Sequence, residues 1–302
     1  MNILITRHDK IGDFITMLPV CKILKEQTNH KIVMLVSKVN VSLAKELDFI
    51  DDVIEYSEDC FTLLKRLAPF EFDVSISGYV DFKLGFSLFL SRIPIRIAPA
   101  TKIAQVFFNK TVKQRRSRVA KNEWAYNLDL VKLLDDYLDL NFLRPLVNLD
   151  LKRENFIIFH TGFGGSSDGN LKLDEYLSLA KKASDTIEIV FSFGPDDIET
   201  KKYIEKKLDF EASIRDDFKS LWDFTTFIAA SKLFVSTSTG PMHLAGLTNT
   251  PTLSFFGSNL FASSKRWATI SEKKCQNNYE IPANYGKEFY DIIESKLMEL
   301  IK

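Results

Sequence analysis

The sequence predicts an α/β protein made of two similar halves, each built on a parallel sheet. Short β-branched runs alternate with longer segments of helical periodicity, which is the rhythm of βαβ units. That rhythm stops near residues 145–153 and then starts again. The length of 302 residues suits about two domains of roughly 100–200 residues, and a hydrophobic content of 45% is ample for packed cores and argues against disorder.

The first half begins with NILIT, a short apolar run that predicts a strand. The same pattern predicts strands at 2–6, 31–36, 53–56, 73–77 and 94–98. A helix is predicted at 13–27, because Phe14, Leu18, Cys21 and Leu24 recur at helical spacing. A strand, a helix and a second strand in this order indicate that the strands pair in parallel.

The second half repeats this alternation. Strands are predicted at 156–160, 187–193, 233–236 and 252–256, and helices at 173–183, 221–230 and 241–247. An amphipathic helix is predicted at 286–301. We therefore expect an N-terminal domain at 1–150, a C-terminal domain at 151–285, and a final helix within 286–302 that packs back on the N-terminal domain.

The charges of the chain balance overall but not locally. A total of 40 Lys and Arg against 40 Asp and Glu excludes a generally basic nucleic-acid binder. Residues 82–122 nevertheless contain no acidic residue and ten basic ones: Lys83, Arg92, Arg96, Lys102, Lys110, Lys113, Arg115, Arg116, Arg118 and Lys121. This basic stretch predicts a surface for an anionic partner or an anionic membrane face, unless it is only a solvated helix face or loop. Nucleic acid is not expected, because no aromatic pattern interleaves the charges.

The cysteines and histidines form no recognisable site. Cys21, Cys60 and Cys275 lie far apart without a C-x-x-C motif, and the four histidines show no metal-ligand spacing. The opening MNILITRHDKIGD lacks the basic start and longer apolar run of a secretory signal, and no stretch reaches the ~20 apolar residues of a membrane span. We therefore expect a cytoplasmic protein with reduced thiols and no metal or other cofactor.

Residues 7–13, RHDKIGD, connect the first predicted strand to the first predicted helix. In open α/β sheets ligands bind at the carboxyl ends of strands, so this loop lies where chemistry is expected. Gly12 permits a close backbone approach, and Asp13 follows at the helix start. Asp13 is either a functional carboxylate or a helix cap. A Rossmann dinucleotide site is not predicted, because no G-x-G-x-x-G follows the strand.

A glycine-rich loop follows the first strand of the second half. Its sequence at 160–169, HTGFGGSSDG, has four glycines and leads to Lys172 and a helix. The backbone N–H groups of such a loop can face an anion, and a nearby lysine adds positive charge. Gly162–Gly165 and Lys172 are the predicted phosphate contacts, although a plain surface loop has the same composition.

A third loop, STSTGPMH at 236–243, joins a buried strand to a helix. Thr239 and Gly240 stand at the predicted cap, and Pro241 stands at the first helical position, where proline is favoured. The free N–H groups and the dipole of that helix form an anion site. His243 either faces this site or is an ordinary interior histidine.

The three loops together resemble glycosyltransferase family 9, the lipopolysaccharide heptosyltransferases. RHDKIGDFITMLP is similar to the family's R-x-x-x-x-G-D loop and its Pro-containing helix. STGPMHLAGLTNTPTLSFFG is similar to its D-T-G-P-x-H-x-A motif and the following T-P-x-x-x-x-F-G strand. The resemblance extends over nearly the whole chain, and the Pro-x-His block is its more specific part. It implies a GT-B fold, in which two Rossmann-like domains face each other across a cleft.

The resemblance also implies an activity, namely the inverting, metal-independent transfer of heptose from ADP-heptose to a lipopolysaccharide inner-core acceptor. Asp13 matches the family's catalytic base, and Lys172 matches its phosphate-binding lysine. The donor-binding residues implied in the C-terminal domain are Gly162, Lys172, Ser238, Thr239, Gly240, Pro241 and His243. The anionic acceptor would meet the N-terminal domain at the inner face of the inner membrane, through Arg7, Lys10, Lys113, Arg115, Arg116 and Arg118.

Two departures from the family pattern leave alternatives open. Ser238 stands where the family usually has an aspartate associated with donor binding, so a different nucleotide sugar is an alternative donor. The segment between Gly162 and Lys172 is longer and richer in Gly and Ser than the family's, which leaves the match of Lys172 open by a few positions. A non-catalytic sugar-nucleotide-binding protein of the same fold is the alternative from another class, and the retained Asp13 argues against it.

Overall fold

In the computed structural model, which describes residues 1–101, 103–162 and 169–302, the chain forms two compact units, Met1–Leu146 and Val147–Lys302. The division lies close to the boundary that the sequence predicts at 150. The described residues of each unit contain one parallel sheet of six strands. Successive residues of the inner strands are buried, so both faces of each sheet are covered.

The first unit alternates strands and helices from its first residues. Its strands are β1 Asn2–Arg7, β2 Lys31–Val36, β3 Asp52–Glu55, β4 Val74–Ser77, β5 Ile95–Pro99 and β6 Lys110–Val112. Its helices are α1 Ile11–Gln27, α2 Val41–Ala44, α3 Cys60–Leu67, α4 Phe82–Leu90 and α5 Glu123–Val131, and Ile103–Phe107 forms a 3₁₀ turn. The strand order is β3-β2-β1-β4-β5-β6.

The second unit repeats this alternation. Its strands are β7 Phe156–His160, β8 Glu188–Ser192, β9 Ser213–Arg215, β10 Leu233–Thr237, β11 Thr252–Gly257 and β12 Gln276–Ile281. Its helices are α6 Leu173–Ser184, α7 Ile198–Lys207, α8 Leu221–Ala230, α9 Gly240–Leu247, α10 Ser264–Trp267 and α11 Lys287–Ile301. The strand order is β12-β11-β10-β7-β8-β9.

Helix α11 belongs to the second unit. Its buried residues Ile293, Leu297 and Ile301 join the hydrophobic core that β7, β8 and α6 build. On its rim, Lys182 of α6 pairs with Glu294. The sequence pattern shows that one face of this helix is buried, but it does not show which core receives that face. In the structure this face is buried in the core of the second unit.

The predicted elements are fewer than the observed ones: helices α2, α3, α4, α5, α7 and α10 and three strands were not predicted. β6, β9 and β12 were not predicted, because they are short or polar and lie at or near an edge. Helix α1 starts at Ile11, two residues before the predicted start. Within the described ranges, no helix is long and apolar enough to cross a membrane.

Candidate functional site

Each sheet has one point where its strand order reverses. In the first unit β1 lies between β2 and β4, and in the second unit β7 lies between β8 and β10. Ligands of open α/β sheets bind at the carboxyl ends of the strands that flank this point. The loops after β1 and β4, and those after β7 and β10, therefore form one candidate crevice in each unit. All three loops that the sequence predicts are among them.

Arg7, the last residue of β1, is the centre of the first crevice. Its side chain is 4% exposed and donates hydrogen bonds to Asp9 at 2.8 Å, to the carbonyl of Gly78 at 3.0 Å, and to Asp13. A Cβ on Gly78, which follows β4, would lie 3.1 Å from Arg7 Cδ and 3.0 Å from Met17 Sδ. The arginine thus ties the loops after β1 and β4 together and holds the Asp13 carboxylate beside them.

Asp13 lies inside the first turn of α1. The N-cap residue of this helix is Lys10, which makes no side-chain capping bond, and the Asp13 carboxylate accepts from Arg7. A negative charge in the first turn is also favoured by the helix dipole. The Asp13 side chain keeps 18% exposure, so it is held in place and still reachable. A capping role for Asp13 does not fit this geometry.

A second arginine completes a buried charge network around Arg7. Glu123 is 2% exposed, accepts from Arg116, and lies 3.9 Å from Arg7. Arg116 also donates to Asn127 at 3.1 Å, and Asn127 donates to the Thr16 carbonyl in α1 at 3.0 Å. The predicted acceptor residue Arg116 is therefore bound into the contact between α5 and α1. No sequence pattern indicates that the two halves of this network meet, because Arg7 and Glu123, like Thr16 and Asn127, are more than a hundred residues apart.

Burial and neighbouring charges set the protonation of this network. Burial disfavours the charged Arg7 guanidinium, but Asp13, Asp9 and Glu123 outweigh burial and raise the pKa of Arg7. Burial also raises the pKa of the Asp9 carboxyl, although Arg7 opposes this change. An arginine side chain is charged at any ordinary pH, so Arg7 is a permanent cation in this network.

The first crevice also contains a histidine–carboxylate pair that the sequence reasoning missed. His8 Nε2 lies 2.6 Å from Asp81 Oδ2 in the loop after β4. The His8 ring stacks on Tyr56 with centroids 4.0 Å apart and meets Tyr79 edge-on at 5.3 Å. Burial works against the ionised Asp81, but hydrogen bonds from His8 and from the Leu84 N–H outweigh it and lower the pKa of Asp81. This pair fixes the loop after β1 to the start of α4.

The second crevice is built from glycines and hydroxyls. Thr237, the last residue of β10, donates a hydrogen bond to the carbonyl of Gly169. A Cβ on Gly169 would lie 2.1 Å from the Phe256 carbonyl oxygen, and a Cβ on Gly162 would lie 2.1 Å from Asp197 Oδ1. One end of the glycine-rich loop thus fits closely against β11, and the other against Asp197 at the start of α7. The predicted contacts Gly164 and Gly165 lie outside the described residues, as does Lys102 of the basic stretch.

Lys172 lies after this loop, at the N-cap of α6. It is exposed, and its Nζ is 5.7 Å from the centroid of the Tyr285 ring. The lysine borders a hollow of about 510 Å³ that Glu175 and Tyr290 also line. Because α6 follows β7 and starts at the carboxyl edge of the sheet, Lys172 is on the edge where the sequence predicts a phosphate contact.

The loop after β10 leads directly into α9. This helix begins at Gly240, one residue before the predicted start, with Pro241 in its first turn. Thr239 is the N-cap residue, but its side chain makes no capping bond. Ser238 extends the sheet, because its N–H donates to the Phe255 carbonyl at 2.8 Å. The Thr239 side chain therefore does not cap the N–H groups at the start of α9. These groups lie at the same edge of the sheet as Gly169, and this arrangement suits an anion.

His243 lies in the interior of the second unit. It is 3% exposed, and its ring meets Trp267 edge-on with centroids 6.3 Å apart. Arg266, 7% exposed, lies 3.7 Å from the Phe261 ring centroid and 4.7 Å from that of Trp267. A buried cation next to the ring that packs on His243 is a further candidate for anion binding. No motif in the sequence singles out Arg266.

The other predicted acceptor residues are at the surface. Lys10, Lys113, Arg115 and Arg118 are all exposed. Lys113 directly follows β6, so it lies at the carboxyl edge of the first sheet. Across residues 1–101, 103–162 and 169–302, no three His, Cys, Asp or Glu side chains are grouped so that they could hold a metal ion.

Two sequence comparisons point to the same class of protein. The family model described as glycosyltransferase family 9 (heptosyltransferase) matches residues 144–289. A Haemophilus influenzae protein named "Putative glycosyltransferase" is 33% identical over 301 residues, which cover 90% of this chain and 86% of that protein. The likeness to this relative therefore extends over both units.

Solved structures show the same fold over the whole chain. E. coli heptosyltransferase WaaC with ADP has a TM-score of 0.80 at 15% identity, and the match covers 99% of this chain and 100% of that one. E. coli ADP-heptose lps heptosyltransferase II has a TM-score of 0.80 at 17% identity, with coverage of 100% and 98%. A family 9 glycosyl transferase from Veillonella parvula has a TM-score of 0.80 at 14% identity, with coverage of 99% and 97%.

Proposed function

The chain belongs to glycosyltransferase family 9 and has the GT-B fold, and we propose that it transfers heptose from ADP-heptose to a lipopolysaccharide or lipooligosaccharide inner-core acceptor. The observation that carries this proposal is the Asp13 carboxylate, which Arg7 holds at the carboxyl end of β1. A fixed, reachable carboxylate at this position is the group that a sugar transfer needs to activate its acceptor.

In this mechanism Asp13 accepts the proton of the acceptor hydroxyl as that oxygen attacks the anomeric carbon. The attack occurs opposite the departing diphosphate, so the configuration at the anomeric carbon inverts. Arg7 fixes the carboxylate, and the network through Glu123 and Arg116 fixes Arg7. General-base assistance of this kind accelerates a reaction by about 10²–10⁴-fold.

The second unit would bind the donor and stabilise the diphosphate that leaves. The uncapped start of α9 offers N–H groups and the positive end of a helix dipole, and Lys172 offers an exposed positive charge on the same edge. We propose that these groups neutralise the leaving group without a metal ion. The ADP part of the proposed donor is supported by the E. coli relative of the same fold, which was solved with ADP.

The acceptor would reach the first unit through its exposed cations. Inner-core lipopolysaccharide carries carboxylates and phosphates, and Lys10, Lys113, Arg115 and Arg118 are exposed there. Such an acceptor would bring the protein to the inner face of the inner membrane. Arg7 and Arg116 would act by positioning other groups, because both are bound into the buried network.

A different nucleotide sugar is the second candidate donor, and Ser238 favours it. This position follows β10 at the edge of the second crevice, where the family usually has an aspartate. A serine hydroxyl carries no charge and has a shorter reach. It therefore suits a donor whose sugar does not require a carboxylate at this point.

The test is a panel of ADP-, UDP-, GDP- and CMP-linked sugars, assayed first for thermal stabilisation and then for transfer to a core acceptor with and without EDTA. A donor present at about 100 times its Kd stabilises the folded state by ~2.7 kcal/mol. We expect ADP-heptose to give the largest shift in Tm, followed by EDTA-resistant transfer. If only a different sugar nucleotide stabilised the protein, that nucleotide and not ADP-heptose would be the donor. Stabilisation without transfer to any acceptor would indicate a binding protein.

A further inference from the structure

Helix α4 is apolar on its exposed side as well as on its buried side. Leu84 and Leu88 are fully buried, whereas Phe82 is 60%, Phe86 is 37% and Phe89 is 50% exposed. The spacing of the three phenylalanines places them on one stripe of the helix. A helix at the surface of a globular protein normally has polar residues on that side, so this stripe requires an explanation.

The 3₁₀ turn Ile103–Phe107 widens this stripe into a patch. The Phe107 ring packs on those of Phe82, Phe86 and Phe89, with centroids 5.0, 5.8 and 6.1 Å away. We define the apolar patch as Phe82, Phe86, Phe89, Leu90, Ile103 and Val106, of which the last two are 82% and 71% exposed. These six side chains are 37–82% exposed, and a contiguous exposed apolar patch rimmed by polar residues marks an interaction or membrane site in soluble proteins.

The border of the apolar patch is basic. Lys83 lies within α4, Arg92 follows its end, and the Arg96 guanidinium lies 5.5 Å from the Phe89 ring centroid. Lys110 follows the 3₁₀ turn, and residues 82–122 contain no acidic residue, although a glutamate of the preceding segment pairs with Lys83. Aromatic and aliphatic side chains bordered by Lys and Arg are typical of surfaces that lie in an anionic membrane interface.

We propose that the apolar patch inserts into the headgroup–acyl boundary of an anionic bilayer, while the cations around it bind lipid phosphates. The basic border favours this partner, because it complements an anionic surface and would repel the same face of a second copy. This patch would be the membrane contact of the proposed transferase. The proposal rests on the proposed function only because that function places the acceptor at a membrane. The lipid contact itself does not depend on which sugar is transferred.

The experiment measures sedimentation of the full chain with vesicles of phosphatidylcholine, with and without phosphatidylglycerol. We expect binding to the anionic vesicles, weak binding to the neutral ones, and a loss of binding with added salt. The triple variant Phe89→Ser, Ile103→Ser, Val106→Ser should bind the anionic vesicles at least about tenfold more weakly. The matched control is Ile292→Ser, which changes an isoleucine that is 55% exposed on α11 of the second unit. It should bind like the original chain.

Other measurements keep the outcomes apart. The variant Arg92→Gln, Lys110→Gln leaves the apolar patch intact and should weaken binding to anionic vesicles only. Equal binding by the triple variant, or no binding by the original chain, would overturn the proposal. Sedimentation velocity without lipid gives a further outcome. A dimer of the original chain that the triple variant does not form would also overturn the proposal. Since the vesicles contain no acceptor or nucleotide sugar, a failure here leaves the proposed transfer intact. Transfer to a soluble acceptor fragment should be equal in the triple variant and the original chain.

Discussion

The two crevices occupy the same place in two similar sheets and differ in their chemistry. The crevice of the first unit contains Arg7 and a network of buried partners with both signs of charge. The crevice of the second unit contains closely fitted glycines, hydroxyls and the start of α9. The strand order sets the position of both crevices, whereas their chemistry comes from the loop residues. The first is suited to fix a carboxylate, and the second is suited to surround an anion.

The largest effect is expected from Asp13→Asn. The amide keeps the shape of the side chain but cannot accept the proton of an acceptor hydroxyl, so kcat should fall by about 10²–10⁴-fold. Steady-state transfer assays measure this loss. The matched control is Asp48→Asn, since the Asp48 side chain is 85% exposed elsewhere in the same unit. A kcat for Asp13→Asn within a few-fold of the original would remove Asp13 from the mechanism.

The next effect is expected from Arg7→Met. This change leaves the carboxylates of Asp9, Asp13 and Glu123 without their shared cation in a largely buried position. Breaking a buried ion pair on one side typically costs about 3–5 kcal/mol of unfolding free energy. Urea denaturation gives the value, and the exposed Arg118→Met serves as the control. A loss no larger than that of the control would show that the network contributes little to stability.

A smaller effect is expected in the second crevice from Gly169→Ala. The new Cβ would lie 2.1 Å from a backbone oxygen, so the loop or β11 must shift. We expect a loss of ~1–3 kcal/mol in unfolding free energy and a weaker affinity for the donor nucleotide. Gly286→Ala is the matched control, because nothing lies within 4 Å of its added Cβ. Equal behaviour of the two variants would mean that the close fit of Gly169 has no consequence.

The smallest effect concerns the pH dependence of stability, through His160 at the end of β7. The residue is 4% exposed, and burial lowers its pKa although Asp197 opposes this. Because the folded pKa lies below the unfolded value of ~6.5, the unfolded chain binds the proton first as the pH falls. Stability contributed by neutral His160 is thus complete above about pH 6.5 and declines below it, by at most ~1.4 kcal/mol per pH unit. When His160→Gln is denatured between about pH 7.5 and 5, its unfolding free energy should not show this decline with falling pH. An unchanged decline would mean that another group causes it.

The sequence predicted the alternation of strands and helices and the resemblance to glycosyltransferase family 9, and both are confirmed. These features are local, since periodicity and loop motifs depend on residues that are close in the sequence. The start of α9 is one example, because the Gly-Pro pair after a buried strand marks it to within one residue. The roles assigned to the individual site residues stay predictions.

Some partners of those residues could not be predicted, because they come from distant parts of the chain. Arg7 was predicted as an acceptor contact, but the loop after β4 and helix α5 bury it against Gly78 and Glu123. Arg116 lies within a basic stretch that looks uniformly exposed, yet its turn brings it onto Glu123. The strand order, which no local pattern shows, brings the loop after β4 and helix α5 to Arg7.

The division of roles between the two crevices is tested most directly by calorimetric titration of ADP into the original chain, Asp13→Asn and Gly169→Ala. The account predicts that Asp13→Asn binds ADP with the Kd of the original chain, although it has lost turnover. It also predicts that Gly169→Ala binds ADP more weakly. A Kd for Asp13→Asn that rises as much as its turnover falls would contradict the account, because Asp13 would then belong to the donor site.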